Sequence, residues 1–258
     1  MAAPFWPGPR RIAHRGGGTL APENTIAAMR TGFAHGYRAV EFDVMLTGDD
    51  VPVLMHDPDF GRTIAGRGRM ATTSYADLAK RDAGVWFGPA FAEEGVPRYE
   101  DVVAFCVANG VWMNVEIKPS PGAEERTGRI VGELTGRWFP GGSERAGWPL
   151  FASFSREALA AARIAAPHVP RGLLFETLPA DAIDLASALG CISVHASHRQ
   201  LDRPVIERLH AAGFAVLAYT VNEVARVEAL EVAGIDAIVT DRIDLIAAGR
   251  VGSIAGTA

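Results

Sequence analysis

The stretch RAVEFDVML, residues 38–46, carries Glu41 and Asp43 inside an otherwise apolar run that predicts a short buried strand. Residues two apart on a strand point to the same face, so the two carboxylates converge on one small space. Burying two like charges together is costly unless a positive group lies between them. The stretch therefore predicts a strand whose acidic side chains share a cation or a cationic partner.

Strand-like and helix-like segments alternate on both sides of this stretch. RIAHR (11–15) predicts a strand before it, and PENTIAAMRTGFAHG (22–36) predicts the helix between the two. After it, the apolar runs have the length of strands, and most are followed by a segment of helical periodicity. These strands are predicted at VPVLMHD (51–57), VWMNVEIK (111–118), PLFASF (149–154), RGLLFE (171–176), CISVHAS (191–197), FAVLAYTVN (214–222) and DAIVT (236–240), and the last helix at RIDLIAAGR (242–250).

About eight main strands, each followed by a helix, predict an α/β fold with a parallel sheet closed into a TIM (β/α)8 barrel. A chain of 258 residues suits one such domain, spanning 1–258. Residues 57–99 interrupt the alternation and are rich in Gly, Arg, Pro and aromatic residues. We interpret them as an insertion with one short helix in TTSYADLAK (72–80), too short and glycine-rich to bury its own core.

The composition excludes several classes of protein. The net charge is −5 without a basic stripe, so we expect no nucleic-acid partner. Cys106 and Cys191 lie far apart and form no CxxC pair, which predicts neither a disulfide framework nor a zinc site. No apolar run approaches the ~20 residues of a membrane helix, and no signal peptide is visible. We therefore expect a cytoplasmic protein without stable membrane insertion.

Polar side chains stand at the carboxyl ends of the predicted strands, which is the end where barrel enzymes place their chemistry. Because side chains alternate along a strand, Glu41 and Asp43 share one face of their strand, and Glu116 and Lys118 share one face of theirs. Each group alone has a structural explanation, such as a hydrogen-bonded histidine or a plain ion pair. Their shared position at one rim favours a site. The set is His14, Arg15, Glu41, Asp43, His56, Glu116 and Lys118.

These residue types together suit phosphoryl chemistry. Three carboxylates provide the hard oxygen ligands that Mg²⁺ or Ca²⁺ prefers. Arg15 and Lys118 cannot bind a cation but can hold an anion beside it. His14 and His56 titrate near neutral pH, as a general acid and a general base require.

The motifs in the run HRGGGTLAPENT…EFDVMLTGDDVPVLMHDPDFGRT…NVEIK, together with AYTVN (218–222) and GIDAIVTD (234–241), resemble the glycerophosphodiester phosphodiesterases of the cytosolic bacterial type. The resemblance spans residues 11 to 244. It implies a TIM barrel with a small insertion, and hydrolysis of glycerophosphodiesters to glycerol 3-phosphate and an alcohol.

The resemblance also implies a role for each site residue. His14 and His56 become the acid–base pair, and Tyr219 becomes a substrate-side aromatic where the family often carries Trp. GIDAIVTDRID (234–244) departs from the family pattern at Ala237, where Gly is usual, and by lacking a proline after TD. The implied metal ligands are Glu41, Asp43 and Glu116, and the implied phosphate contacts are Arg15 and Lys118.

Several alternatives stay open at the level of sequence. Trp86, Phe87 and Phe91 of the insertion either pack it against the barrel, which we favour, or line an alcohol-side pocket that admits lysophospholipids. A barrel that binds a phosphate ester without turning it over, or a phosphomonoesterase, is a further alternative. We weakly favour His14 as base and His56 as acid, with the reverse also allowed. The nucleophile is water or the substrate's own glycerol hydroxyl. The sequence does not distinguish the headgroup, the preferred ion or the oligomeric state.

Overall fold

The computed structural model describes residues 5–141 and 149–249, and within them eight parallel strands close into a barrel. Every neighbouring pair in the barrel is parallel, and the first strand also pairs with the second to complete the ring. The predicted TIM barrel is confirmed. Its strands are β1 (Arg11–Ala13), β2 (Ala39–Leu46), β4 (Trp112–Ile117), β5 (Leu150–Ser153), β6 (Arg171–Phe175), β7 (Ser193–Ser197), β8 (Ala215–Tyr219) and β9 (Ala237–Thr240).

The helices lie between successive strands and cover the outside of the barrel. One further strand, β3 (Pro52–Leu54), runs antiparallel to β2 as a hairpin and stays outside the ring. The helices are α1 (Ile26–Ala34), α2 (Tyr75–Leu78), α3 (Tyr99–Asn109), α4 (Glu124–Trp138), α5 (Arg156–Ala165), α6 (Ala182–Ala188), α7 (Arg203–Ala211) and α8 (Val224–Ala233).

Below its rim the barrel interior is mostly apolar, with His195 buried near Trp6, and its carboxyl-terminal rim is acidic. Ala39 and Trp112 are neighbours in register at the amino-terminal end, where the ring of Trp6 packs against Trp112 at 5.6 Å between centroids. Two steps along each strand the same face carries Glu41 and Asn114, and then Asp43 and Glu116. The register of β2 and β4 thus places the apolar pair Ala39 and Trp112 below the polar residues of the rim.

The insertion between β3 and α3 shares an apolar cluster with the hairpin. Ile64, Met70 and Leu78 from the insertion pack with Met45 and Val53 of the two hairpin strands. These side chains are all at most 1% exposed. The insertion therefore completes its core with barrel residues, which fits the expectation that it cannot bury one alone.

The first helix starts later than the sequence predicted. It begins at Ile26, and the hydroxyl of Thr25 caps it by accepting a hydrogen bond from the backbone N–H of Ala28 at 3.1 Å. Asn24 has a φ of 58°, a left-handed conformation that a helix cannot contain. The PEN segment (22–24) is therefore a loop.

The predicted last helix is wrong over its described part, residues 242–249. These residues form turns. The backbone carbonyl of Ile246 accepts a hydrogen bond from the Tyr37 hydroxyl at 2.5 Å, and that of Ala247 accepts one from Arg11 at 2.7 Å. Side chains thus take the carbonyls that a continuing helix would use. Arg250 lies outside the described residues, as do residues 142–148 after α4.

No helix in the described ranges has both the length and the apolar character that crossing a membrane would require.

Candidate active site

Three carboxylates meet at the carboxyl end of the barrel. Glu41, Asp43 and Glu116 each place a carboxylate oxygen within 4.8 Å of the others. Asp43 and Glu116 are neighbours in register on β2 and β4, and Glu41 lies two residues before Asp43 on the same face. The exposed fractions are 5%, 1% and 9% respectively, so three acidic groups share one buried space. The structure thus brings together the predicted metal-ligand set.

The three carboxylates differ in pKa because the local cations are shared unequally. Burial and the nearby charge of Asp43 raise the pKa of Glu41 to about 7 and that of Glu116 to about 8. Burial also opposes ionisation of Asp43, but the charges of Lys118 and Arg15 outweigh it and lower its pKa to about 2. The protein's own positive charge therefore stabilises one carboxylate fully and leaves two under-compensated.

Lys118 and Arg15 both contact the acidic group, which consists of Glu41, Asp43 and Glu116. The Lys118 ammonium donates to Asp43 Oδ1 and Glu116 Oε1, both at 3.1 Å. The Arg15 Nε lies 3.6 Å from Asp43 Oδ2, while its backbone N–H donates to Glu41 Oε2 at 3.1 Å. Both side chains are partly exposed, at 23% and 19%, so their charges also face the mouth. They are suited to hold an anion there.

The loop between β1 and α1 has an unusual backbone that places Arg15. Arg15 has a φ of 48° and Gly16 a φ of 88°. A Cβ added to Gly18 would lie 2.1 Å from the carbonyl oxygen of Asp241, so the loop passes directly over the end of β9. Residue 18 must therefore be glycine for the loop to hold His14 and Arg15 at the rim.

His14 follows β1 and is held by a carboxylate from the far end of the chain. Its Nδ1 lies 2.5 Å from Asp241 Oδ1, and its Nε2 lies 3.8 Å from Glu41 Oε2. Burial opposes protonation, but the hydrogen bond with Asp241 and the charges of Glu41 and Asp241 outweigh it and raise the pKa of His14. Asn222 holds the same carboxylate through a 2.9 Å bond to Asp241 Oδ2.

His56 follows β3 and has the opposite electrostatic setting. Its Nδ1 lies 2.7 Å from Asp57 Oδ1. Burial, together with the charges of Arg15 and Lys118, lowers the pKa of His56 although Asp43 and Asp57 act against this. The two predicted histidines therefore both lie within the field of the acidic group, with pKa values displaced in opposite directions.

Tyr219 ends β8 on the other side of the mouth. Its hydroxyl donates to the carbonyl of Phe175 at 2.7 Å, and its ring meets Phe154 edge-on at 6.0 Å between centroids. Phe154, which is 46% exposed, also lines a cavity of about 380 Å³ that includes Glu116 and Lys118. The aromatic pair and this cavity lie beside the acidic group.

Sequence reasoning missed the residues that hold the site residues in place. Asp241 and Asp57 orient the two histidines, and Glu23 accepts a hydrogen bond from Arg15 at 2.6 Å. Asn24 donates to Asp43 Oδ2 at 2.8 Å and accepts from the Asp43 backbone N–H at 3.1 Å. Asp57, Glu23 and Asn24 lie in quoted motifs, but only the folded chain shows what they contact.

The arrangement combines the parts that a phosphoester reaction needs. It has a group of hard oxygen donors that could hold a cation, two cationic side chains that could bind an anion, and two imidazoles with different proton affinities. Each Nδ1 is taken by a carboxylate, which leaves each Nε2 for other contacts, and the Nε2 of His14 lies 3.8 Å from Glu41 Oε2.

Comparisons with known proteins identify the family and the fold. A model of the glycerophosphoryl diester phosphodiesterase family matches residues 14–245. The glycerophosphodiester phosphodiesterase of Caldanaerobacter subterraneus subsp. tengcongensis is 30% identical over 223 residues, which cover 85% of this chain and 88% of that protein.

Two solved structures are similar to the fold over nearly the whole chain. An Oleispira antarctica phosphodiesterase in complex with the product sn-glycerol-3-phosphate is 33% identical with a TM-score of 0.83, covering 90% of this chain and 93% of that one. A glycerophosphodiester phosphodiesterase from Agrobacterium tumefaciens is 25% identical with a TM-score of 0.75, covering 93% of this chain and 100% of that one.

Proposed function

This chain belongs to the glycerophosphoryl diester phosphodiesterase family, and from that premise we propose that it hydrolyses glycerophosphodiesters to glycerol 3-phosphate and an alcohol. Family membership makes it a phosphoric diester hydrolase. The Oleispira relative, which holds sn-glycerol-3-phosphate as product, supports a small-molecule substrate with a glycerol phosphate half. We propose that the whole chain acts as one catalytic domain and is cytoplasmic.

We propose that Glu41, Asp43 and Glu116 hold one divalent cation, Mg²⁺ or Ca²⁺. The donor set fits such an ion because it consists of carboxylate oxygens gathered within 4.8 Å. The raised pKa values of Glu41 and Glu116 support the same conclusion, since a further positive charge would stabilise both as carboxylates. When bound, the cation would neutralise negative charge that develops on the phosphoryl oxygens.

Arg15 and Lys118 bind the phosphodiester in this proposal. Both cations already face the acidic group, and both keep part of their surface at the mouth. A phosphate placed between them would have its charge compensated in the reactant and in the transition state. Tyr219, with Phe154 beside it, supplies an apolar wall for the organic part of the substrate.

The pKa directions support an acid–base assignment opposite to the one weakly favoured from the sequence. His56, whose pKa is lowered, is the better base because it is neutral at physiological pH. His14, whose pKa is raised, is the better acid and donates its proton to the leaving alkoxide. The hydrogen bond that the His14 Nδ1–H donates to Asp241 raises the pKa of His14 more than the charge of Glu41 does, so the assignment does not depend on Glu41 alone.

The nucleophile that His56 deprotonates is water or the free hydroxyl next to the phosphate in the substrate. The second route gives a cyclic glycerol phosphate that water then opens. Phosphorus NMR during turnover separates the two routes, because only the second gives a transient cyclic product.

The observation that carries the proposal is the convergence of three carboxylates, two cationic side chains and two imidazoles at one barrel mouth. The test is coupled release of glycerol 3-phosphate from glycerophosphocholine, glycerophosphoethanolamine and glycerophosphoglycerol. We expect EDTA to abolish release and Mg²⁺ or Ca²⁺ to restore it. Full activity in EDTA would refute the cation, and no release from any diester would refute the function.

Lysophosphatidylcholine belongs in the same substrate panel. We propose a small alcohol rather than a lysophospholipid, because Phe87 packs edge-on against both Trp86 at 5.6 Å and Phe91 at 5.4 Å. These ring contacts are made within the insertion, although Trp86 stays 40% exposed. A kcat/KM for lysophosphatidylcholine equal to that for glycerophosphocholine would overturn this preference. Hydrolysis of glycerol 3-phosphate itself would indicate a phosphomonoesterase instead.

A further inference from the structure

Arg62 lies in the insertion and joins two carboxylates that belong to different loops. Its Nε donates to Asp57 Oδ2 at 2.6 Å. Its Nη1 and Nη2 donate to Glu23 Oε2 and Oε1 at 2.5 and 2.7 Å. One guanidinium therefore binds Glu23 in a bidentate manner and Asp57 through the remaining donor.

Each of these carboxylates also binds a residue of the candidate site. Glu23 Oε1 accepts from Arg15 Nη1 at 2.6 Å, and Asp57 Oδ1 lies 2.7 Å from His56 Nδ1. A continuous chain of charge-assisted hydrogen bonds thus runs from Arg15 through Glu23, Arg62 and Asp57 to His56. It links the β1–α1 loop to the loop after β3 across the outer side of the mouth.

The charge and burial of the two carboxylates make this link important. Glu23 and Asp57 keep only 13% and 24% of their side-chain surface exposed. Burial opposes their ionisation, but the hydrogen bonds from Arg62 help to lower the pKa of both. Without Arg62, each carboxylate would have one partner left and room to rotate away from it.

The shape of the guanidinium explains why arginine occupies this position. All N–H groups of a guanidinium lie in one plane. In Arg62, Nη1 and Nη2 donate to both oxygens of Glu23, and Nε donates to Asp57. A lysine ammonium is a point charge on a flexible stem and cannot fix both carboxylates in that plane.

We propose that Arg62 is a positioning residue that sets Arg15 and His56 at the same time, although it does not touch the substrate. Through Glu23 it fixes the direction of the Arg15 guanidinium, and through Asp57 it keeps the His56 proton on Nδ1. The lone pair of His56 is then on Nε2. The inference rests on the proposed function only for its kinetic consequence.

The test compares Arg62→Gln and Arg62→Lys with Arg69→Gln as matched control. Arg69 lies in the same insertion and pairs with Asp59 at 3.3 Å. Unlike the two carboxylates that pair with Arg62, Asp59 is exposed, and the side chain of Arg69 is 75% exposed. With glycerophosphocholine, we expect Arg62→Gln to raise KM and lower kcat, for a combined loss of about 10- to 100-fold in kcat/KM. Arg62→Lys should recover only a small part, and Arg69→Gln should match the wild type.

A double variant shows whether Arg62 acts through His56. In a His56→Ala background, adding Arg62→Gln should cause no further fall in kcat, while the rise in KM through Arg15 remains. Independent effects on kcat that multiply fully would overturn the route through His56.

The tautomer of His56 gives a readout that does not need turnover. Nitrogen-15 NMR of the imidazole should show the Nδ1–H form in the wild type and in Arg69→Gln, and a mixture in Arg62→Gln. This outcome supports the inference even if no diester is hydrolysed, in which case the proposed function alone fails. An unchanged imidazole signal in Arg62→Gln, or wild-type kcat and KM, would overturn the inference.

Discussion

Each histidine of the site owes its proton affinity to one neighbouring carboxylate and to the charges beyond it. Asp241 and Asp57 both take an imidazole Nδ1, yet the pKa of His14 is raised and that of His56 is lowered. The difference comes from what else is near. Burial lowers the pKa of both imidazoles. At His14 the hydrogen bond with Asp241 and the charge of Glu41 outweigh burial, whereas at His56 the charges of Arg15 and Lys118 act with burial and outweigh Asp43 and Asp57. The two imidazoles thus differ in proton affinity although each has a carboxylate at Nδ1.

Replacing Asp241 by Asn should reveal which histidine works in its protonated form. Removal of the carboxylate charge lowers the pKa of His14, so His14 loses its proton at a lower pH. If His14 is the acid, the alkaline limb of the kcat–pH profile shifts to lower pH. We also expect kcat at neutral pH to fall about 10- to 100-fold, less than the ~10²–10⁴ for removal of an acid itself.

Asp244→Asn is the matched control for that measurement. Asp244 lies three residues further along the same segment and pairs with Arg242 at 2.8 Å on the surface. Its profile should coincide with that of the wild type. A shift of the acid limb in Asp241→Asn, with the alkaline limb in place, would contradict the assignment of His14.

At the scale of the elements, α4 and α5 pack with their backbones in close approach. A Cβ added to Gly128 on α4 would lie 2.1 Å from the carbonyl oxygen of Ala158 on α5. Added to Gly136, near the end of the same helix, it would lie 3.3 Å from the Ala166 side chain. The first position meets a backbone carbonyl and lacks room for a methyl group, whereas the second needs the Ala166 side chain to move by only a few tenths of an ångström.

Gly128→Ala should therefore destabilise the barrel, and Gly136→Ala should not. We expect the first to lower the free energy of unfolding by about 1–3 kcal/mol, because the helices must separate to admit the methyl group. The second should change it by less than about 1 kcal/mol, since alanine favours a helix. Urea unfolding measures both. Equal stability of the two variants would show that the helices can shift without cost.

The elements of this fold could be predicted from the sequence because each strand is a short apolar run with a helical segment after it. The wrong helix at 242–249 shows where that reasoning ends. The apolar pattern did mark buried residues, since Ile243 and Ile246 are buried, but after one helical turn the carbonyls of Ile246 and Ala247 accept hydrogen bonds from Tyr37 and Arg11. The periodicity of apolar residues predicts which side chains are buried, but it does not predict which groups donate hydrogen bonds to the backbone carbonyls.

The positions of the candidate site residues could be predicted in part, again from a repeating pattern in the sequence. The alternation of side chains along β2 predicted that Glu41 and Asp43 share a face, and the predicted barrel placed Glu116 at the same rim. Asp241 was not assigned a role, because its contact with His14 depends on the pairing of β1 with β9. A contact between the first and last strands of the barrel cannot be predicted from the sequence pattern around either residue.

At the scale of the whole molecule, the barrel interior contains a buried histidine outside the site. His195 on β7 is fully buried, with Ser193 Oγ at 2.9 Å and the Trp6 ring at 6.1 Å between centroids. Burial lowers the pKa of His195 to about 3. The folded protein therefore keeps this ring neutral over the whole range in which an unfolded chain would protonate it.

This histidine should make the protein less stable in acid. Between pH 6.5 and 3 the unfolded state binds a proton that the folded state does not, so stability falls as the pH falls through that window. From pH 6.5 to 4 the loss is on the order of 2–3 kcal/mol, at about 1.4 kcal/mol per pH unit. We expect His195→Gln to flatten the dependence of unfolding free energy on pH. Parallel curves for variant and wild type would contradict this.

The hydrogen bond between His14 and Asp241 joins residues separated by 227 positions. During translation the acidic rim emerges from the ribosome long before the last strand does. If His14 is the acid, a nascent chain that has not yet reached Asp241 leaves this imidazole without its carboxylate partner. We therefore expect a chain cut short before residue 241 to lack hydrolase activity.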